Sequence, residues 1–132
     1  MPFELSINSD VRLLHVRAVG VISSMDIDAY YEQLQKLDGI RECNKGLIDF
    51  TMPGSRISGV SVSSIRNMSW QFKKAPLMKK GSQMAFVTPN KLEFGFVRVF
   101  MARRGDDITI KPFFKMNKAL SWLKISDSEM VS

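Results

Sequence analysis

Apolar and polar positions alternate from the start of the chain. Phe3, Leu5 and Ile7 interleave with Glu4, Ser6 and Asn8, the period of two that marks a half-buried strand. The turn-forming cluster Asn8-Ser9-Asp10 follows, and Val11 to Val19 reads as a second strand, so the chain is expected to open with a hairpin. Ser23 is placed to cap a helix, and Asp26, three residues on, completes a capping box. Ile27, Tyr30, Tyr31, Leu34 and Leu37 then fall on one helical face, and Asp38-Gly39 closes the segment. Gly46 to Phe50 is a short apolar run without polar alternation, the pattern of a central strand covered on both sides.

Pro53-Gly54 marks residues 51–57 as a loop. A second helix is predicted from Ser58 to about Lys74, with Ser61, Ile65, Met68 and Phe72 on one face, and Pro76 stops it. Gln83 to Thr88 reads as a strand ending at Pro89-Asn90. Leu92, Phe96, Val99 and Phe100 mark a third helix ending near Gly105, Ile108 to Phe113 the last strand, and Asn117 to Leu123 a final helix. Ser126 to Ser132 has little to bury and is expected to be a flexible tail. The order is β-β-α-β-α-β-α-β-α. Strands alternating with helices imply mostly parallel pairing, so the prediction is one α/β sandwich over residues 1–125, with five strands, an N-terminal hairpin and four helices.

Composition narrows the chemistry. With 132 residues, 45% hydrophobic and 24% charged, the chain is an ordinary globule with room for one domain. A single Cys, Cys43, and a single His, His15, exclude an internal disulfide and a Cys/His zinc site. The opening Met1-Pro2-Phe3-Glu4-Leu5 lacks a basic segment followed by an apolar stretch, and no apolar run approaches the ~20 residues of a membrane span. A cytoplasmic protein, peripheral at most to the inner membrane face, is therefore expected. The net charge of +6 is unevenly spread. Residues 1–50 hold five basic and eight acidic groups, residues 51–125 fourteen and three.

The element order, the strand Gly46-Leu47-Ile48-Asp49-Phe50 with its loop and Ser58-Gly59, the segment Met84 to Pro89 followed by Phe94 to Phe100, and the ending Phe114 to Leu123 resemble the SpoIIAA-like family of STAS-type domains. The resemblance covers residues 3–125. It implies a five-stranded sheet flanked by helices, no chemistry of its own, and a role in recognition. In the anti-sigma-factor antagonists of this family a Ser in an Asp-Ser-Ser-Gly motif is phosphorylated by a partner kinase. In the broader group, related in fold to lipid-carrying CRAL-TRIO domains, the resemblance points to a membrane or lipophilic ligand.

Two sets of site residues follow. Ser58-Gly59 aligns with the phosphorylated Ser-Gly, and a helix N-terminus there would attract a phosphate, but Arg56 and Ile57 stand where the motif has its acidic residue and first Ser. Arg56 could hold an anion, and Ser58 could equally be a plain helix cap. The second set surrounds the end of the second helix: Met68, Trp70, Phe72, Lys73, Lys74, Leu77, Met78, Lys79 and Lys80 mix large apolar groups with four lysines. That mixture suits an anionic membrane interface, and the competing account buries Met68 and Phe72 in the core. Nucleic acid is a weaker reading. Met68, Met78, Met84 and Met101 with Phe94, Phe96 and Phe100 could line an apolar pocket between the second and third helices, and the all-round apolar third helix could also be covered by the second helix, a membrane or a dimer mate. A hydrolase built on Ser58, His15 and Asp49 is set aside, because no Gly-x-Ser-x-Gly elbow is present. The expectation is a non-enzymatic, cofactor-free binding domain acting through the second and third helices on a lipophilic ligand or membrane. The alternative is a protein-partner module switched at Ser58.

Overall fold

The computed structural model describes residues 2–91, 95, 98 and 108–131. The opening alternation forms the expected hairpin: β1 (Phe3–Asn8) and β2 (Leu13–Ala18) pair antiparallel, Phe3 opposite Ala18 and Asn8 opposite Leu13. In the turn, Asn8 Oδ1 accepts from the Asp10 N–H at 3.1 Å, the local bond that favours Asn there. Gly20, with a φ of 79°, redirects the chain into a two-residue strand, β3 (Val21–Ile22).

α1 (Ser24–Gln35) starts where its capping box places it. Ser23 Oγ accepts from the Asp26 N–H at 3.4 Å, and Asp26 Oδ2 accepts from the Ser23 N–H at 2.8 Å. Its buried face is Ile27, Tyr30, Tyr31 and Leu34, and a short 3-10 turn (Ile40–Glu42) leads onward. β4 (Lys45–Asp49) is the central strand; Gly46, Leu47, Ile48 and Asp49 are all buried. A Cβ at Gly46 would lie 3.2 Å from Met84 Cε, so the bare backbone makes room for that side chain.

β5 (Arg56–Ile57) pairs parallel with β3 as a separate two-stranded sheet. α2 (Val62–Lys74) follows and ends just before Pro76. β6 (Ser82–Val87) and β7 (Ile108–Phe113) complete a five-stranded sheet of order β1-β2-β4-β6-β7, in which only the first pair is antiparallel. α3 (Met116–Leu123) and α4 (Asp127–Val131) close the chain.

Strand alternation divides the core between the two faces of this sheet. Leu14, Val16, Ile48, Met84 and Ile110 pack with α1 and α2. Leu13, Leu47, Ala85 and Val87 pack with Ala119, Leu120 and Leu123 of α3. On the first face Phe72 meets Tyr31 edge-on at 5.1 Å and Tyr30 at 6.1 Å, and the Tyr31 hydroxyl donates to the Ala75 carbonyl at 2.6 Å, tying α1 to the end of α2.

Two expectations need correction. The second helix begins at Val62, not Ser58: Ser61 is its N-cap, accepting from the Ser64 N–H at 3.1 Å, while Gly59 at a φ of 66° cannot sit in a helix. Two short strands were missing, because two residues carry no periodicity. The last described residues, Asp127–Val131, form a short helix. Ser126 and Glu129 form a capping box, with the Ser126 N–H donating to Glu129 Oε1 at 2.9 Å, and Asn8 Nδ2 donates to the Glu129 carbonyl at 2.9 Å. Most of the third predicted helix, including Leu92, Phe94, Phe96, Val99, Phe100 and Met101, lies outside the described residues; Lys91, Gly95 and Arg98 are helical and exposed.

Candidate functional site

The carboxyl ends of β2, β4, β6 and β7 share one edge of the sheet, the edge from which α/β domains commonly present binding groups. The helix periodicity of α2 sorts its candidate residues into two sets. Met68 and Phe72 point into the first core face, and Leu77 and Met78 of the following loop are buried in the same cluster. Trp70, Lys73, Lys74, Lys79 and Lys80 are exposed, Trp70 at 61%. Sequence reasoning missed two residues on this outer face. Val62, 52% exposed, and Arg66 precede Trp70 at four-residue steps, so Val62, Arg66, Trp70 and Lys73-Lys74 form one stripe along the helix. Their i, i+4 spacing was the available signal. Between Thr51 and Lys80 the sequence has six Lys or Arg and no Asp or Glu.

More apolar side chains emerge near the start of this stripe. Val19, Val21 and Met25 are exposed, Met25 at 81%. Ser24 Oγ donates to the Gly59 carbonyl at 3.1 Å and accepts from the Ser61 N–H at 2.9 Å, which holds the first turn of α1, bearing Met25, against that of α2, bearing Val62. Val21 is the register partner of Arg56. Arg56, Ser58 and Gly59 are exposed here too, but the Ser58 N–H donates to the Ile22 carbonyl at 3.0 Å and extends the β3–β5 ladder. Ser58 therefore stands ahead of the helix, away from its free N–H groups.

The second face of the sheet carries a different constellation. His15 Nε2 lies 3.7 Å from Asp49 Oδ2, and Asp49 is only 6% exposed. Burial pushes the Asp49 carboxyl up, but the His15 imidazole and the hydroxyl and amide of Thr51 outweigh it and hold the group below its ordinary value. The His15 separation is electrostatic, too long for a hydrogen bond, and Nε2 has no hydrogen-bond partner. The Thr51 N–H at 2.8 Å and hydroxyl at 2.6 Å are what orient the carboxylate. Ser58 hydrogen-bonds neither residue, so the Ser58-His15-Asp49 arrangement does not form. His15 also borders a cleft of about 340 Å³ between the hairpin and α4. Cys43 is buried and its thiol is pushed up, by burial first and Glu42 second, the setting of an inert thiol. Among the described residues no group of three His, Cys, Asp or Glu could hold a metal ion, and no helix is long and apolar enough to cross a membrane.

A mixed five-stranded sheet, mostly parallel, with an N-terminal hairpin and helices on both faces is a SpoIIAA-like α/β fold. The solved structure that carries this comparison is an uncharacterised protein of the DUF3478 family, with a SpoIIAA-like fold, from Shewanella loihica PV-4. It shares 22% identity with this chain at a TM-score of 0.57, covering 92% of this chain and 91% of that one. No protein-family profile matches the chain, and no curated protein matches it in sequence.

Proposed function

We propose that this chain is a non-enzymatic binding domain that docks on an anionic membrane surface through the outer face of α2. One observation carries the reading: Val62, Arg66, Trp70, Lys73 and Lys74 lie exposed along one face of the helix, within a thirty-residue stretch that has no acidic side chain. Trp prefers the headgroup layer, and each Lys or Arg near an anionic surface contributes about 1 kcal/mol. Val19, Val21 and Met25 extend the apolar part of the surface toward the carboxyl edge of the sheet.

The burial of Met68, Met78 and Met84 favours this surface over a lipophilic pocket lined by them, because their side chains are already spent on the core. A partner module phosphorylated at Ser58 has less support, since Ser58 lies outside the helix whose N–H groups would receive the phosphate.

Co-sedimentation with vesicles of phosphatidylcholine alone and with added phosphatidylserine tests the proposal. The protein is expected to pellet only with the anionic vesicles, with a blue shift of Trp70 emission, and Lys73→Ala/Lys74→Ala should weaken binding by about 2 kcal/mol, roughly thirtyfold. Equal recovery in the supernatant with both vesicle types would refute it.

A further inference from the structure

The cleft beside His15 is not used by the membrane-docking face and lies on the opposite side of the sheet from α2. Its walls are the polar face of the hairpin, with Ser6, Ser9, Asp10 and His15, and the apolar side chains Leu13 and Met130. Asp10 is the one Lys, Arg, Asp or Glu among the lining residues. Its backbone N–H is bonded to Asn8 Oδ1, but its carboxylate has no hydrogen bond or ion pair among the described residues.

His15 stands in the wall of the cleft beside these groups. Its Nε2 is buried and lies 3.7 Å from the Asp49 carboxylate. Ser6 is the register partner of His15 and adds a hydroxyl beside it. A volume of about 340 Å³ is at the lower end of small-molecule sites. The lining thus offers a free carboxylate, an imidazole and hydroxyls around an aliphatic patch.

We infer that this cleft binds a small amine: an ammonium group meeting Asp10 and an aliphatic body against Leu13 and Met130, beside the His15 ring. Docking of α4 completes the site, because Met130 comes from that helix and the Asn8 bond to the Glu129 carbonyl holds it against the hairpin.

His15 is the sole histidine, so its imidazole resonances report on the cleft without ambiguity. The full-length protein is titrated with cyclohexylamine, cyclohexanol and cyclohexanecarboxylate while the His15 ring protons and the Met130 methyl are followed by NMR. The amine is expected to shift both signals saturably with a Kd on the order of 1 to 10 mM, as befits a seven-atom fragment. Asp10→Asn, at an exposed turn position, should raise that Kd about tenfold or more with the spectrum otherwise native. His15→Gln, followed through Met130, should weaken binding less. No saturable shift with the amine up to about 50 mM, or equal saturation by the carboxylate, would overturn the inference. Vesicle binding is unchanged by Asp10→Asn if the two sites are separate, so failure here is distinguishable from failure of the membrane reading.

Discussion

Held by two Thr51 donors and lying 3.7 Å from His15, the Asp49 carboxylate keeps its charge although it is buried beside Leu47 and Val87. Its pKa is lowered on folding, so the stabilisation it brings is present above the unfolded carboxyl value of about 3.9 and is lost as pH falls through the lower folded value. Asp49→Asn keeps the shape and removes the charge. Urea unfolding should therefore find the variant less stable than the parent at pH 7, with the gap closing below about pH 4; a gap that persists at pH 2 would show that shape, not charge, is responsible. From the sequence, the position of Asp49 at the end of a central strand was legible, but His15 comes thirty-four residues earlier and only strand pairing sets them side by side.

At the scale of the element, α2 shows how one periodic pattern serves two purposes. Phe72 packs against Tyr30 and Tyr31, and truncating such an aromatic costs about 3 to 5 kcal/mol. Trp70, two residues away, faces solvent. Thermal or urea unfolding should accordingly show a loss of that size for Phe72→Ala and a change within about 0.5 kcal/mol for Trp70→Ala, while vesicle binding is lost only by the second among the variants that remain folded. The ends of the elements were harder to place than their faces. Ser58 and Ser61 are both plausible caps in sequence, and what chose Ser61 was the β3–β5 ladder, which takes residues up to Ser58 into extended pairing. At the C-terminus the signal was present and overlooked: Ser126-Asp127-Ser128-Glu129 is a capping box in plain view. Ser126→Ala should expose the last residues to faster amide exchange at a cost of about 1 kcal/mol to the helix, without altering the main unfolding transition by more than that.

For the whole molecule, charge separates along the chain and then in space. The N-terminal fifty residues are net acidic and contribute the carboxylate-bearing cleft, whereas residues 51–80 are wholly basic among their charged groups and contribute the outer face of α2. A surface attraction of this kind is screened within about 10 Å at 0.1 M salt. Raising salt from about 0.1 to 0.5 M should release most of the protein from anionic vesicles, as read by the fraction left in the supernatant, with a residual hydrophobic contribution from Trp70 and Val62.

By itself the sequence determined the order of the main elements, the α1 capping box, the burial of β4 on both faces and the concentration of positive charge after residue 50, because each is a local or periodic property of neighbouring residues. Tertiary structure alone decided which apolar side chains near α2 are core and which are surface, where that helix begins, that His15 comes beside Asp49, and that His15 lines a cleft with Asp10 and Met130. Those outcomes depend on strand register and on the packing of segments distant in the chain, and no periodicity within a segment records what will lie against it.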